Sequence, residues 1–265
     1  MKISVLVEDT TESKCLEAEH GLSLFIETCG CRILFDTGQT DMLARNAQRM
    51  GVDLASADFA VISHGHYDHA GGLPHFLEVN SHAPVYINRQ AFGRKRASDG
   101  REIGMDPTLQ GNSRIVLTDD ECSLGKGMRL CTCNGQEKLF PSQSEGLLMF
   151  RDGDYVQDDF FHEQYLCIEE AGKRFVFSGC SHKGALNIMR WLQPDVFIGG
   201  FHFMPLDAQG AGQGALDAIA AEMAKSKTHF FTCHCTGRGQ FERLKQTLGD
   251  RIRYASCGMQ FECLG

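Results

Sequence analysis

The sequence predicts an α/β protein built as a four-layer αβ/βα sandwich, with its functional site at the margin of two sheets. An apolar strand, a few small residues, metal-binding side chains and then a helix follow one another in residues 58–79, and again in residues 173–192. Strand ends that carry ligands from two sheets and converge on one edge are typical of such a sandwich. No linker rich in Pro, Ser and Gly separates the halves, so we expect a single domain over residues 1–265.

The stretch 63–72 reads Ser-His-Gly-His-Tyr-Asp-His-Ala-Gly-Gly and directly follows the apolar run 58–62. Alternate side chains of an extended chain share a face, so His64 and His66 are expected to point the same way from the strand end. Asp68 and His69 come after the chain has begun to turn and should point elsewhere. We therefore expect two divalent metal ions at neighbouring points. A polar surface loop with chance histidines is the alternative, and the buried strand and the flanking glycines argue against it.

Apolar and alternating runs predict the remaining elements in chain order. In the first half, strands are expected at 2–7, 22–28, 31–36, 58–63 and 84–87, and helices at 40–50 and 72–79. A second sheet is expected from strands at 113–118, 128–133, 146–151, 163–169 and 173–178, closed by a strand at 251–257. Helices at 184–192 and 212–225, with strands at 195–198 and 228–232, complete the second half.

Residues 88–113 break this pattern and carry five basic residues among several glycines. A loop or short-helix insertion of this kind often lies over an active site, although a solvated run of charges is the alternative. If the substrate carries phosphate, Arg94, Lys95 and Arg96 are the expected substrate-binding cations.

The spacing His64-X-His66-X-Asp68-His69 resembles the signature of the metallo-β-lactamase superfamily. Five further segments match one branch of it in order: Glu19-His20-Gly21-Leu22-Ser23, Ile33-Leu34-Phe35-Asp36-Thr37-Gly38, Ser178-Gly179-Cys180-Ser181-His182-Lys183-Gly184, Gly199-Gly200-Phe201-His202 and His234-Cys235-Thr236-Gly237. The branch is that of metal-dependent hydrolases similar to dihydropterin–ribofuranosylaminobenzene 5′-phosphate synthase. The resemblance runs from near residue 3 to near residue 260.

This resemblance suggests roles for two residues that are ambiguous on their own. His20 would by itself be read as a surface residue, and the resemblance makes it a candidate to support a metal ligand or to contact substrate. Asp36 ends an apolar strand, where an unpaired carboxylate is costly to bury. The resemblance places it beside the metal loop, orienting a ligand histidine or the loop backbone. A simple aspartate turn at 36–38 is the rival interpretation, and both can hold.

The second half supplies further candidate ligands. His182 repeats the arrangement of the first half and is expected to bind metal, and His234 is assigned to the ion shared by Asp68 and His69. Many relatives carry a metal-bridging aspartate where this chain has Cys180, which is either a thiolate ligand or a buried structural thiol. The separate histidine that many relatives carry upstream has no obvious equivalent, and the following candidates for its place stay open: Asp158, Asp159, His162 and Glu163.

His202 follows two glycines, a pattern that suggests close approach of the backbone to a ligand or substrate. Its imidazole could protonate a leaving group or hold an anionic oxygen. Together with Asp68 and Asp36 it is a candidate catalytic residue.

Composition narrows the class of partner and compartment. The net charge of −8 argues against nucleic acid as a general partner. No run is long enough to span a bilayer, and the start lacks the features of a signal peptide. The twelve cysteines are therefore expected to be free thiols in a reducing cytoplasm. The pairs Cys29/Cys31 and Cys131/Cys133 lack the usual Cys-X2-Cys spacing of cluster sites and are expected to be buried thiols.

The expected activity is metal-dependent hydrolysis of a phosphoester or a phosphorylated small molecule, so the expected partner is an anionic small molecule. His64, His66 and His182 would hold one ion, and Asp68, His69 and His234 the other. Water held between two such cations loses a proton near neutral pH and can attack the substrate. Imidazole ligands favour zinc, and iron or manganese is compatible.

Two other functions would use the same site. The resemblance to the dihydropterin-dependent synthase implies a transferase, in which metal stabilises a diphosphate leaving group and an aminobenzene carbon attacks. The third hypothesis is an iron-binding redox or sensor protein, in which the Cys180 thiolate tunes the iron.

Overall fold

The computed structural model describes residues 1–263. The first half forms β1 (Lys2–Val7), β2 (Ser23–Thr28), β3 (Cys31–Phe35), α1 (Met42–Met50), β4 (Phe59–Ile62), α2 (Tyr67–Ala70), α3 (Leu73–Val79), β5 (Val85–Asn88), β6 (Lys95–Ala97), β7 (Ile115–Thr118), β8 (Glu121–Gly125) and β9 (Met128–Cys131). The second half forms β10 (Leu147–Arg151), β11 (Asp154–Gln157), β12 (Tyr165–Glu170), β13 (Lys173–Ser178), α4 (Ala185–Leu192), β14 (Val196–Gly199), α5 (Gln213–Ala224), β15 (His229–Thr232), α6 (Arg238–Leu248), β16 (Ile252–Tyr254) and β17 (Gln260–Glu262). None of the helices within residues 1–263 is long and apolar enough to cross a membrane.

Two large sheets pack face to face between two layers of helices. The first sheet has the order β17-β1-β2-β3-β4-β5-β7 and the second the order β16-β15-β14-β13-β12-β9-β8. Apolar side chains that alternate along the strands fill the space between the sheets, among them Ile33, Val61, Phe175 and Phe177. The αβ/βα sandwich predicted from the sequence is therefore confirmed.

The opposite faces of both sheets are covered by helices. Leu43 of α1 and Phe76 of α3 pack with apolar side chains of the first sheet, and Leu216 of α5 and Leu244 of α6 belong to the cluster that covers the second. Each helix buries one apolar stripe against a sheet, and each sheet is buried on both faces. The result is four layers, in the order helices, sheet, sheet and helices.

Two predicted strands join sheets other than the expected one. The segment 113–118, expected in the second sheet, forms β7, which pairs in parallel with β5 at the edge of the first. The segment 146–151 forms β10, which pairs with β6 and β11 in a separate three-stranded sheet. Residues 88–113 therefore contribute a strand, β6, as well as loops. Alternation identifies a half-buried strand, but it carries no information about which strand lies beside it.

Strand direction explains why one edge of the sandwich collects polar side chains. Strands β3, β4 and β5 run parallel, as do β13, β14, β15 and β16. The carboxyl ends of parallel strands meet at one edge of a sheet. β1 runs in the same direction as β3, because both are antiparallel to β2. The residues that follow β1, β3, β4, β13, β14 and β15 therefore lie near one another.

Candidate metal centre

The first group of donor atoms consists of the imidazoles of His64, His66 and His182. His64 Nε2 lies 3.1 Å from His66 Nδ1 and 3.2 Å from His182 Nε2. Nitrogen ligands of a tetrahedral zinc ion lie about 3.3 Å apart, given Zn–N bonds of about 2.0–2.1 Å. All three side chains are buried. The spacing is therefore that of atoms which share one cation.

The second group lies beside the first and contains Asp68, His69 and His234. His69 Nε2 is 3.2 Å from His234 Nε2. The Asp68 carboxylate oxygen Oδ2 lies 3.3 Å from His234 Nε2 and 3.6 Å from His69 Nε2. The sulfur of Cys180 is 3.1 Å from His69 Nε2 and belongs to the same group of potential ligands.

Asp36 orients one imidazole of each group. Its fully buried carboxylate accepts hydrogen bonds of 2.7 Å from His69 Nδ1, from the Ser63 backbone N–H and from the Ser63 hydroxyl. The Ser63 proton is thereby used, so Ser63 Oγ accepts from His64 Nδ1 at 2.8 Å. Both imidazoles consequently keep the Nε2 lone pair free for a cation. The expected contact with a ligand histidine and the expected contact with the loop backbone are both present.

Asp9 and Ser144 support two of the remaining candidate ligands, His234 and His182, and neither was identified from the sequence. Asp9 Oδ1 lies 2.5 Å from His234 Nδ1, and its other oxygen lies 2.9 Å from His20 Nδ1. Burial acts to raise the pKa of Asp9, but the hydrogen bonds and charges of the two imidazoles outweigh it and lower the pKa. Ser144 Oγ lies 3.2 Å from His182 Nδ1. Asp9 follows β1 as Asp36 follows β3, so an acidic residue at a strand end was the signal available for it.

The protonation states of the first group suit metal binding. Burial, followed by the neighbouring imidazoles, lowers the pKa of His64 well below its usual value. Burial also lowers the pKa of His66 and His182. Neutral imidazole is the form that binds metal. His66 Nε2 and His202 Nδ1 are buried without a hydrogen-bond partner, so two polar atoms are left unpaired beside this group.

In the second group, Asp68 carries a negative charge and His234 holds a proton that competes with a metal ion. The charges of His69 and His234 lower the pKa of Asp68, although burial opposes them. Burial acts to lower the pKa of His234, but Cys235, Asp68 and Asp9 raise it well above its usual value. Binding of a cation by His234 therefore releases a proton.

The backbone is strained where it presents these side chains. Four of the non-glycine residues at the site have positive φ angles: Asp36 (58°), Ser181 (59°), His202 (53°) and His234 (50°). This left-handed region is uncommon for side-chain-bearing residues and recurs at functional sites. Asp and His are among the residues that tolerate it best.

Two glycines allow the candidate ligand loops to approach neighbouring backbone or side-chain atoms closely. A Cβ atom on Gly65 would lie 2.0 Å from the carbonyl oxygen of Ala91, and one on Gly179 would lie 2.1 Å from Ser63 Oγ. Any larger residue would push the loop of His64 and His66 out of place.

A cavity of about 230 Å³ opens above the two groups. Its polar lining comes from His20, His66, Asp68, His182, His202 and His234, with Cys180 and Cys235. The rest of the lining comes from Tyr67, Ala97, Arg101, Ile103, Leu147, Met204 and Pro205. Among the described residues that line it, Arg101 is the one lysine or arginine.

The predicted substrate-binding cations do not line this cavity, and this expectation is corrected. Lys95 is buried, and its ammonium group donates to the carbonyl oxygens of Ala91 and Gly93 at 2.8 and 3.0 Å. Arg94 lies over the ring of Phe150, and Arg96 lies over the ring of Tyr155. Both face Glu102. The carbonyl groups of the turn before β6 hold Lys95, and aromatic rings of β10 and β11 hold the two arginines. Residues 88–113 contribute Ala97, Arg101 and Ile103 to the cavity instead.

The structure also shows the contacts of the four residues between 158 and 163 that were candidates for the missing upstream histidine. His162 lies behind the metal loop, where Nδ1 accepts from the Gly65 N–H at 3.2 Å and Nε2 contacts Asp158 at 3.2 Å. Glu163 accepts the backbone N–H of His182 at 2.6 Å. Asp159 pairs with Arg151. None of these four residues belongs to either donor group, and three of them brace the loops that do.

His20 and the cysteines complete the comparison with the sequence predictions. His20 lines the cavity, with Nε2 3.4 Å from Asp68 Oδ2. All twelve cysteines lie within the described residues and are free thiols. Cys131 is buried, whereas Cys29, Cys31 and Cys133 are only partly buried.

Comparison with known proteins agrees with this geometry. The sequence profile of the Metallo-beta-lactamase superfamily matches residues 16–125. An uncharacterized protein of Methanocaldococcus jannaschii is 27% identical, covering 92% of this chain and 94% of its own. The 7,8-dihydropterin-6-methyl-4-(beta-D-ribofuranosyl)-aminobenzene-5'-phosphate synthase of the same organism is 28% identical, covering 89% of this chain and 88% of its own.

A solved structure shows the same likeness along the whole chain. It is described as a metal-dependent hydrolase of the beta-lactamase superfamily and superposes with a TM-score of 0.84 at 27% identity, covering 99% of this chain and 98% of its own. The ligand spacing, the sandwich and these relatives lead to one conclusion. Residues 16–125 match the sequence profile of the metallo-β-lactamase superfamily, the chain has the metallo-β-lactamase fold, and its sequence is similar to the dihydropterin-synthase-like branch.

Proposed function

We propose that the protein is a metal-dependent hydrolase that acts on a phosphoester or a phosphorylated small molecule. The observation that carries the proposal is the pair of buried donor groups, which lie side by side and each contribute two residues to the lining of one cavity: His66, His182, Asp68 and His234. His64, His66 and His182 would hold one divalent ion, and Asp68, His69 and His234 the other. Zinc suits these imidazole-rich groups best, and iron or manganese is compatible.

Two bound divalent cations would supply Lewis acidity and would lower the pKa of bound water towards neutral pH. The remaining roles belong to the chain. Asp36 holds His64 and His69 in the correct tautomer, and Asp9 does the same for His234. Asp68 offers an ionised carboxylate at the cavity floor.

In this proposal His202 and Arg101, which both line the cavity, would contact the substrate. The ring of His202 packs against that of His182 at a centroid distance of 4.4 Å, and its Nδ1 has no protein partner. It is positioned to give a proton to a leaving oxygen or to hold an anionic one. Arg101, whose guanidinium group pairs with Asp99 at 2.7 Å, is the cation of the cavity lining that would be available to a phosphate group. The apolar residues that line the same cavity suit an organic portion of the substrate.

A transferase reaction is the second candidate, and the similarity to the named synthase favours it. The same cavity would then hold a pterin diphosphate, and a carbon atom of the aminobenzene partner would replace water as the nucleophile. His202 and Arg101 would contact the diphosphate leaving group in that case.

The test compares both reactions on metal-loaded protein of measured elemental content. A panel of phosphomonoesters, phosphodiesters and lactones is assayed beside the pterin diphosphate with the ribosyl-aminobenzene phosphate, each with and without chelator. Chelator-sensitive hydrolysis that is lost in His66→Ala and Asp68→Ala supports the proposal. Full activity in either variant, or turnover of the pterin pair alone, would overturn it.

A further inference from the structure

Three cysteine thiols lie together where β9 ends, and none of them belongs to either donor group of the candidate metal centre. Cys131 is the last residue of β9, and Cys133 follows it two positions later. Cys167 lies on the neighbouring strand β12, two residues beyond the one that pairs with Cys131. The sulfur atoms of Cys131 and Cys167 are 3.6 Å apart. They are therefore in contact and need to approach by only about 1.5 Å to reach the length of a disulfide bond.

The surroundings of Cys131 favour the thiolate, which is the reactive form of cysteine. Hydrogen bonds from the thiols of Cys133 and Cys167 lower the pKa of Cys131, and they outweigh burial, which acts to raise it. The positive charges of Arg129 and Lys183 lower this pKa further. Lys183 is almost fully buried, and its ammonium group donates to the carbonyl oxygen of the residue after Cys131 at 2.7 Å. Reactive cysteines typically lie in such electropositive surroundings.

The two sulfur atoms in contact are buried beneath a surface groove. The exposed fractions of Cys131 and Cys167 are 3% and 2%. Cys167 nevertheless contributes to the lining of a groove of about 340 Å³, together with Arg129, Glu169 and residues of the hairpin formed by β8 and β9. A folded protein that oxidises thiols is too large to enter this groove, whereas hydrogen peroxide is about as small as water. The position therefore suits a peroxide as the oxidant.

We propose that Cys131 and Cys167 form a reversible disulfide when the protein reacts with a peroxide. The Cys131 thiolate attacks one oxygen atom of hydrogen peroxide. The S–O bond forms, the O–O bond breaks, and the hydroxide that leaves takes up the proton that Cys131 had released. Both residues lie outside the metal centre, so the disulfide would form whether or not the protein is a hydrolase.

The second step closes the bond between the strands. The sulfur of Cys167 attacks the sulfenic acid on Cys131, the S–S bond forms, the S–O bond breaks, and hydroxide leaves with the thiol proton as water. The two sulfur atoms together lose two electrons, and these reduce one peroxide molecule to two molecules of water. Closure draws the end of β9 towards β12, and a thiol reductant reverses it by thiol–disulfide exchange.

Peptide mapping of the full-length protein as purified tests this proposal. The reduced protein is treated with hydrogen peroxide, the remaining thiols are blocked with iodoacetamide, and the protein is digested with trypsin. Trypsin separates the two cysteines, because Cys131 lies in the fragment 130–138 and Cys167 in the fragment 152–173. The expected product is a cross-link between these fragments, lighter than their sum by two hydrogen atoms. It should be lost after treatment with dithiothreitol.

Variants identify the sulfur atoms, since the fragment 130–138 also contains Cys133. Cys133→Ser is the matched control: its hydroxyl still donates to Cys131, so the cross-link should be kept. Cys131→Ser and Cys167→Ser should lose it. Wild-type protein that is unfolded in urea before oxidation should lose most of the cross-link, because all twelve cysteines then compete as partners.

Four outcomes would overturn the proposal. They are the absence of the cross-link in folded wild-type protein, a disulfide closed within the fragment 130–138, an equal yield of the cross-link from unfolded protein, and retention of the cross-link in Cys131→Ser, which would assign the bond to Cys133. The wild-type measurement needs no substitution, so a variant that folds poorly cannot conceal the result.

Discussion

Replacement of Asp36 by asparagine tests how far one buried carboxylate organises the metal centre. The carboxylate accepts three hydrogen bonds of 2.7 Å: Oδ2 receives the Ser63 hydroxyl and His69 Nδ1, and Oδ1 receives the Ser63 N–H. An amide has one oxygen. If that oxygen takes the place of Oδ2, the amide nitrogen faces the Ser63 N–H, and two donors meet.

The expected loss of unfolding free energy follows from the number of hydrogen bonds that are broken or weakened. The backbone N–H of Ser63 is left buried and unpaired, which costs about 1–3 kcal/mol, and the other two bonds lose the assistance of the charge. We expect the apo-protein to lose about 3 kcal/mol of unfolding free energy. Loss of such a support typically weakens metal binding by about 10–100-fold. Both effects are expected because Asp36 holds His69 directly and His64 through Ser63.

The assay is competition for Zn²⁺ against a chromophoric chelator, with urea unfolding of the apo-protein measured in parallel. Asp58→Asn is the matched control: Asp58 also accepts a backbone N–H at 2.7 Å, from Arg32, but it is exposed and precedes β4 at the opposite end of the strand. The control should change zinc affinity by less than about twofold. Asp36→Asn with wild-type zinc affinity and an intact fold would show that the carboxylate does not orient the ligands.

Three further changes probe the surroundings of the site. Burial lowers the pKa of Lys95 to about 8 from 10.5, so between these pH values the unfolded chain binds a proton that the folded chain has lost. The unfolding free energy of the wild type, compared with that of Lys95→Met, should therefore rise by about 3 kcal/mol across this pH range. Urea unfolding at both ends of the range measures it. Arg101→Ala should raise KM for a phosphorylated substrate about tenfold with little change in kcat, whereas Arg94→Ala should leave both unchanged. Gly65→Ala should lower the unfolding free energy by about 1–3 kcal/mol, because its Cβ would lie 2.0 Å from the Ala91 carbonyl oxygen.

Each of these has an outcome that contradicts it. A constant stability difference between wild type and Lys95→Met across the pH window would mean that Lys95 keeps its proton when buried. Equal KM effects in the Arg101 and Arg94 variants would remove the special role of Arg101. For the glycine, Gly111→Ala is the control because a Cβ there meets nothing within 4 Å; equal losses in the two variants would rule out the contact with Ala91.

Much of the fold was predictable because its elements are locally encoded. Strand β4 and helix α3 follow from an apolar run and a glycine–proline turn, and β13 and α4 repeat that order. The placement of β7 and β10 was not predictable, because alternation along a strand is the same whichever neighbour it has. The structure was therefore needed to place β7 at the edge of the first sheet and β10 in the small third sheet.

The ligand loop was determined by the sequence alone, because the spacing of His64, His66, Asp68 and His69 acts within one strand end and its turn. Tertiary structure decided which distant residues join them. Asp9 reaches His234 because β1 and β15 end at the same edge of the sandwich, although 225 positions separate the two residues. It also decided that Arg101 lines the cavity while Lys95 is held by backbone carbonyls. A sequence shows that a lysine or arginine is present, whereas packing determines where its side chain lies.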